Sequence, residues 1–292
     1  MTLGSGGTKS WIYEPANPAP AAAPVIVFLH GWGAWWPVVY REWIHHLVRR
    51  GNIVIFPKYQ DTLATLPGHM TGNMEVAVRD ALAELAKEGH VHPDPARFAV
   101  VGHSLGGVLA ANLAARSRES GLPQPLAVMC VEPGDPKHLP AAQPLDRVNM
   151  KPQSIMADLS KIPAGTLMIV LVGDADIIVG ETTAREIWGR VQHLPAKDRD
   201  YVMVVSDHHG SPALDADHVF PSAPPEDSLI AWARGPTDAL DYFATWKLLD
   251  GLTDAAFFGR NREYALGNTP EQRNMGRWSD GTPVREMKVS DK

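Results

Sequence analysis

The sequence predicts an α/β fold in which a doubly wound, mostly parallel sheet carries helices on both faces. Six short apolar runs recur along the chain without polar alternation, which is typical of strands that are covered on both faces. Helical stretches lie between these runs, and a repeated strand–helix–strand order predicts right-handed crossovers within one sheet. The predicted strands are residues 25–29, 52–56, 98–101, 126–131, 167–172 and 201–205, with residues 11–13 as an edge strand.

Glycines mark the ends of several predicted helices, because a glycine readily adopts the left-handed conformation that closes a helix. Gly51 and Gly89 end two of them, and a third begins at Thr237 as N-cap and ends before Gly251. The predicted helices are residues 40–50, 74–88, 104–118, 181–192 and 237–250. We expect one domain, with a catalytic core at about residues 11–218 and residues 219–292 as a C-terminal extension packed on it.

The composition narrows the classes of protein that this chain can be. A chain of 292 residues with 45% hydrophobic residues can bury a large core, and its single Cys130 excludes an internal disulfide. The net charge of −6 disfavours a nucleic-acid partner, which calls for clustered positive charge. No apolar stretch reaches the roughly 20 residues of a membrane span, and the N-terminus lacks the apolar segment of a signal peptide.

A Gly-x-Ser-x-Gly motif places a candidate nucleophile between a strand and a helix. The motif runs from Gly102 through Ser104 to Gly106, directly after the strand at 98–101 and at the start of the helix at 104–118. Such a turn lifts a serine hydroxyl above the sheet, and glycines flank it because bulkier side chains would clash. The plainer interpretation is a glycine-rich helix entry with Ser104 as N-cap. The strand–turn–helix context favours the nucleophile.

A serine nucleophile requires a base and an acid that orients the base. Both are expected after later strands of the sheet, in the chain order serine, acid, histidine. The sequence therefore predicts Asp176, which follows the strand at 167–172, as the acid, and His209, which follows the strand at 201–205, as the base.

Alternatives remain open at both positions. Asp174 precedes Asp176 in the same turn, and Glu132 directly follows another predicted strand, so either is a candidate acid. His208 is the alternative base, although Gly210 favours a tight turn that presents His209.

The remaining site predictions concern the oxyanion and the substrate. Two backbone N–H groups should bind the oxyanion, namely those of Leu105, after the nucleophile, and of Trp32, in the loop after the first long strand. Core packing is the competing interpretation of the tryptophans, and His30 is expected to hydrogen-bond behind the loop. The residues assigned to substrate binding are Gly33, Trp35, Trp36 and His103.

No metal or other cofactor is predicted. The stretch from Asp207 to His218 is rich in His and Asp, but its spacing does not match a zinc-binding helix. The Gly31-x-Gly33 pair is too short for a dinucleotide site, and a phosphate-binding lysine motif is absent from the sequence.

These motifs together resemble the α/β-hydrolase superfamily, over about residues 11–218, and within it the compact carboxylesterase, lipase and dienelactone-hydrolase types. The resemblance implies that Asp176 is the acid and that carboxylic esters, small or polymeric, are cleaved through an acyl-enzyme. Residues 132–166 are too few for the large helical cap of many members, which implies a short cap or none and an open site. The alternatives are an acyltransferase, thioesterase or perhydrolase with the same triad, or a binding protein that has lost the chemistry.

Overall fold

A nine-stranded mixed sheet forms the centre of the computed structural model, which describes residues 1–138, 154–229 and 237–290. The strand order is β1-β2-β4-β3-β5-β6-β7-β8-β9, and among these nine described strands the antiparallel pairs are β1 with β2, β2 with β4, and β8 with β9. The strands are β1 (Thr2–Leu3), β2 (Lys9–Tyr13), β3 (Ala22–Leu29), β4 (Ile53–Lys58), β5 (His92–His103), β6 (Ala127–Val131), β7 (Leu167–Gly173), β8 (Arg199–Val204) and β9 (Lys288–Ser290). The predicted fold class is confirmed.

Helices cover both faces of this sheet. The α-helices are α1 (Arg41–Arg49), α2 (Pro67–Leu85), α3 (Leu105–Ser120), α4 (Thr182–Arg190), α5 (Lys247–Phe258) and α6 (Pro270–Arg273). Short 3-10 turns occupy Gly6–Thr8, Pro37–Tyr40, Pro136–His138, Leu159–Lys161, Ala196–Asp198 and Arg262–Tyr264, and a π-helical segment, Asp241–Trp246, precedes α5. None of the helices in the described ranges is long and apolar enough to cross a membrane.

The unbroken apolar character of the strands follows from burial on both faces. In β3, Val25 and Val27 pack into the core beneath α2, α3 and α4, whereas Ile26 and Phe28 pack into the core beneath α1 and α5. Because successive side chains of a strand point to opposite faces, both sets of positions must be apolar.

Gly251 is a packing residue and does not end a helix as predicted. Helix α5 continues past it and ends at Phe258, where the following Gly259 has φ +66°. A Cβ on Gly251 would lie 3.0 Å from the Cβ of Tyr264 and 3.1 Å from that of Ala265. The glycine therefore permits the chain after α5 to return closely across the helix.

The prediction of a short or absent cap concerns residues 132–166, and residues 139–153 of that segment lie outside the described residues. The described part after the gap contains the 3-10 turn Leu159–Lys161, which leads into β7.

Candidate active site

Ser104 lies at the sharp turn between β5 and α3 with an unusual backbone conformation. Its φ of +56° and ψ of −123° are disfavoured for a residue with a side chain. A Cβ on Gly102 would lie 2.0 Å from the carbonyl oxygen of Gly106, and one on Gly106 would lie 2.3 Å from that of Leu29. Only glycine fits at both flanks, so the motif is required to form this turn.

Ser104, His218 and Asp176 form a continuous chain of polar contacts. The Oγ of Ser104 is 3.0 Å from Nε2 of His218, and Nδ1 of the same ring is 2.8 Å from Oδ2 of Asp176. Ser104 follows β5, Asp176 follows β7, and His218 lies on the chain that follows β8. All three therefore meet at the carboxyl end of the parallel strands, where α/β sheets place their ligand sites.

The prediction that His209 pairs with Ser104 is wrong. The Nε2 atom of His209 contacts Oδ2 of Asp280 at 2.8 Å, and the alternative base, His208, contacts Asp215. Both histidines are exposed in the loop of residues 207–214 that follows β8, which we call the excursion.

Backbone pairing explains why the chain uses a later histidine. Asp207 and Leu214 exchange two backbone hydrogen bonds, of 2.8 and 2.9 Å, which close the excursion at its base. The returning chain then passes the end of β7, where a Cβ on Gly173 would lie 2.1 Å from the carbonyl oxygen of Ala216. His218 follows directly and enters the site. The glycine at 210 serves a different purpose from the predicted tight turn, because the Trp278 ring packs where its Cβ would be.

The two aspartates after β7 have separate tasks. Asp174 accepts hydrogen bonds from the backbone N–H and the hydroxyl of Ser206 through Oδ1, so it holds the start of the excursion. Asp176 contacts His218 with one oxygen and accepts the N–H groups of Ile178 and Val179 with the other. Burial alone would raise the pKa of Asp176, but the hydrogen bonds from His218 and from the two amides outweigh it and lower that pKa.

The loop after β3 lies against Ser104. A Cβ on Gly31 would lie 3.3 Å from the Cβ of Ser104. The N–H of Gly31 donates to the hydroxyl of Tyr40, and the N–H of Gly33 donates to the side chain of Gln60. Between them, the Trp32 N–H has no hydrogen-bond partner among the described residues.

His30 lies behind this loop as a buried structural residue. Its Nδ1 donates to the carbonyl oxygen of Gly31 at 2.7 Å, and its ring stacks on Tyr59 with ring centroids 4.0 Å apart. Burial lowers the pKa of His30 to about 3, so the ring is neutral at physiological pH.

His103 does not face the substrate side as predicted. Its side chain is buried, and Nε2 donates to the backbone carbonyl oxygen of His218 at 2.8 Å. With that proton on Nε2, Nδ1 accepts from the Tyr40 hydroxyl, 2.8 Å away. Tyr40 and His103 thus connect the loop at Gly31 to the backbone of His218.

The predicted pocket residues of the loop are placed differently. Trp36 is exposed and packs edge-on against Trp11 of β2, and Trp35 lies 5.7 Å from the ammonium of Lys58 at the end of β4. These contacts belong to the β2–β4 side of the sheet and do not support a pocket wall beside Ser104. The backbone N–H of Gly33 donates to the side chain of Gln60, and a Cβ on Gly33 would lie 3.5 Å from Cδ2 of Leu63.

Gly134 lies close to both Ser104 and Val179, and neither Gly134 nor Val179 was predicted to belong to the site. A Cβ on Gly134 would lie 2.7 Å from Cγ1 of Val179 and 3.5 Å from Oγ of Ser104. Ile177 and Ile178, beside Val179, are exposed, the former at 93%. The segment that reaches Gly134 is therefore apolar and partly exposed at residues 177–179.

Three side chains of the types that bind metals cluster at His218. Potential ligand atoms of His103, Glu132 and His218 lie within 4.8 Å of one another. The nitrogens of His218 are occupied by Ser104 and Asp176, and those of His103 by Tyr40 and the backbone, so a metal would have to break these contacts. We therefore assign no metal to the cluster.

Comparison with known proteins places this geometry in a family context. A comparison with curated proteins gives no match. Among solved structures, the apo form of Thermogutta terrifontis esterase 2 matches with a TM-score of 0.59 and 23% identity, covering 86% of this chain and 90% of that one. The same esterase modified by tabun matches with a TM-score of 0.58 and 22% identity, and its butyrate-bound form with 0.57 and 22%, each over the same shares of the chains.

These structural likenesses establish the fold, and a protein-family match is more specific. The chlorophyllase family matches residues 11–168, which is more than half of the 292-residue chain. The matched segment includes the loop at Trp32 and the serine turn at Ser104. The chain therefore belongs to the chlorophyllase family, within the α/β hydrolases.

Proposed function

We propose that this protein is a serine hydrolase that cleaves carboxylic esters through an acyl-enzyme. The observation that carries the proposal is the Ser104–His218–Asp176 chain, with its contacts of 3.0 and 2.8 Å. A serine hydroxyl is a poor nucleophile unless a base removes its proton, and the third group fixes the tautomer of that base.

In this proposal, Nε2 of His218 takes the proton from Oγ of Ser104 as Oγ bonds to the ester carbonyl carbon. Asp176 accepts the Nδ1–H of His218 and stabilises the imidazolium that forms. The imidazolium then returns its proton to the departing alkoxide as the carbon–oxygen bond of the ester breaks. Water repeats these steps on the acyl-enzyme, giving the acid and restoring the Ser104 hydroxyl.

Two backbone donors are assigned to the negative charge that develops on the carbonyl oxygen. Leu105 is the first residue of α3, where N–H groups lack a partner within the helix. Trp32 supplies the other N–H, which the hydrogen bonds of Gly31 and Gly33 hold between two fixed amides. Donors that are fixed before the reaction stabilise such charge effectively, and losing one costs about 10²–10³-fold in rate.

The proposed substrate class rests on the apolar side chains of residues 177–179, which approach Gly134 beside Ser104. Val179, Ile177 and Ile178 are apolar, so we expect an ester with an apolar acyl or alcohol portion. The family name denotes chlorophyll as a substrate of its members, and one matched structure holds butyrate. A p-nitrophenyl ester series from C2 to C16, measured beside chlorophyll, covers both possibilities.

The decisive experiment compares His218→Ala with the matched control His209→Ala, together with Ser104→Ala. We expect Ser104→Ala and His218→Ala to lose at least about 10³-fold in kcat, as expected for triad members. His209→Ala should stay within about threefold of wild type, because that ring contacts Asp280 away from Ser104. A fluorophosphonate should label wild type and not Ser104→Ala. Near-wild-type turnover by Ser104→Ala would overturn the proposal.

A further inference from the structure

Glu132 is a buried carboxyl that the proposed mechanism does not use. It directly follows β6, has a side-chain exposure of 0%, and has a φ of +43°, which is unfavourable for a residue other than glycine. Its Oε2 is 3.9 Å from Nδ1 of His218 and 3.7 Å from Nε2 of His103. Neither oxygen makes a well-formed hydrogen bond within the described residues.

Such a residue is costly to keep. A buried carboxyl without full hydrogen bonding is costly to charge, so it stays protonated instead. Burial raises the pKa of Glu132 well above its usual value, the nearby Asp176 and Asp217 charges raise it further, and the backbone of Gly173 lowers it only in part. Buried acids and strained backbones cluster at functional sites.

The surroundings of Glu132 are also shaped around it. A Cβ on Gly173, at the end of β7, would lie 2.8 Å from Oε1 of Glu132, so glycine there leaves room for the carboxyl. The N–H of Glu132 donates to the carbonyl oxygen of Leu171, which holds its backbone against the neighbouring strand. The carboxyl is thereby fixed on the same side of the His218 ring as Asp176.

We propose that Glu132 is a second orienting acid of this site, which accepts the Nδ1–H of His218 when the Asp176 carboxylate is removed. This inference rests on the proposed function. It makes Glu132 a positioning residue that acts through His218. The hydrogen bond forms by a shift of about 1 Å from the present 3.9 Å separation towards the usual N–H···O distance.

The exchange of acids should depend on pH. The titratable groups that face Glu132 are Asp176, Asp217, His103 and His218. Replacing Asp176 by alanine removes a like charge, which lowers the pKa of Glu132, while burial still holds that pKa above the usual range. The carboxylate that orients His218 therefore forms only as the pH rises.

The test is a double-mutant cycle of wild type, Asp176→Ala, Glu132→Gln and the double variant, with kcat/KM for p-nitrophenyl butyrate measured from pH 6 to 10. Glu132→Gln should cost at least tenfold more in the Asp176→Ala background than in wild type. The activity of Asp176→Ala should rise with pH in a step that the double variant lacks. Loss of the hydrogen bonds to Ile178 and Val179 is common to both Asp176→Ala forms and cancels in the cycle.

Asp176→Asn supplies a second comparison. An asparagine amide that donates to Nδ1 fixes the opposite tautomer of His218, which is unproductive. We therefore expect Asp176→Asn to be at least tenfold less active than Asp176→Ala. If Glu132→Gln does not fold, Glu132→Asp retracts the carboxyl by one carbon and should still lower the activity of Asp176→Ala.

Failure of this inference and failure of the proposed function give different results. Equal costs of Glu132→Gln in both backgrounds, with Ser104→Ala inactive, would overturn the second acid and leave the serine hydrolase intact. Substantial turnover by Ser104→Ala would overturn the proposed function itself.

Discussion

Replacing Tyr40 by phenylalanine tests whether a buried hydrogen-bond chain holds two parts of the catalytic site together. The Tyr40 hydroxyl accepts from the Gly31 N–H at 3.0 Å and donates to Nδ1 of His103 at 2.8 Å. His103 in turn donates to the backbone carbonyl of His218 at 2.8 Å. One hydroxyl therefore links the loop that carries the Trp32 N–H to the backbone of the proposed base.

The size of the effect of Tyr40→Phe on stability follows from the burial of the hydroxyl. Tyr40 is 0% exposed, so water cannot replace the hydroxyl that binds the Gly31 N–H and Nδ1 of His103. A buried polar group that loses its partner costs about 1–3 kcal/mol, and two such groups should lower the free energy of unfolding by roughly 2–6 kcal/mol. Since small changes in the placement of catalytic groups are costly, we expect kcat to fall by about 10–100-fold with little change in KM.

Tyr201→Phe is the matched control. Tyr201 is also buried, and its hydroxyl donates to Oε2 of Glu181 at 2.7 Å, between β8 and α4. This variant should be destabilised in urea unfolding and keep the wild-type kcat. Tyr40→Phe with a wild-type kcat, despite a loss of stability, would refute the positioning role of the chain.

Five other variants should change the activity or the stability. Gly106→Ala should abolish activity and impair folding, because its Cβ would lie 2.3 Å from the backbone oxygen of Leu29, and soluble yield with ester turnover measures both. Val179→Ala should shift the p-nitrophenyl ester preference towards longer chains, whereas Gly134→Ala should raise KM for all of them, because its Cβ would enter the space between Val179 and Ser104. Glu132→Gln should stabilise the fold more at pH 8 than at pH 4. The raised pKa of Glu132 favours the folded state only at low pH, and this contribution is lost as the pH rises. Thermal unfolding of the variant and of wild type at both pH values would detect the difference. Glu186→Gln should destabilise the fold at pH 7 but progressively less below about pH 4.5. Burial alone would raise the pKa of Glu186, but Lys137, His138 and Arg190 outweigh it and lower that pKa to about 2. A loss of stability at pH 3 that equals the loss at pH 7 would contradict this.

The fold was predictable because its strands are covered on both faces. Residues 25–29 and 167–172 are continuous apolar runs, and the structure contains β3 and β7 at these positions. The least predictable helix is α5, where Gly251 has the sequence signature of a helix end. Glycine is required at position 251 because Tyr264 and Ala265 pack closely against it, a tertiary contact that local spacing does not encode.

The serine turn was predictable for a different reason, because both positions that flank it accept only glycine. The backbone oxygens of Gly106 and Leu29 leave no room for a Cβ at either flank of Ser104, so the motif itself records the geometry. The histidine has no such local constraint. His208, His209 and His218 all follow β8, and all three lie near aspartates in the sequence.

What separates these histidines is the pairing of Asp207 with Leu214, which turns the intervening residues outward and returns the chain to β7. Asp207 is itself held from the far end of the protein, because its Oδ2 accepts hydrogen bonds from the Trp278 indole and the Arg285 backbone. The C-terminal segment therefore fixes the base of the excursion from which His218 emerges. Trp278 and Arg285 thus contribute to which histidine contacts Ser104. No pattern in residues 201–218 alone could therefore have identified His218.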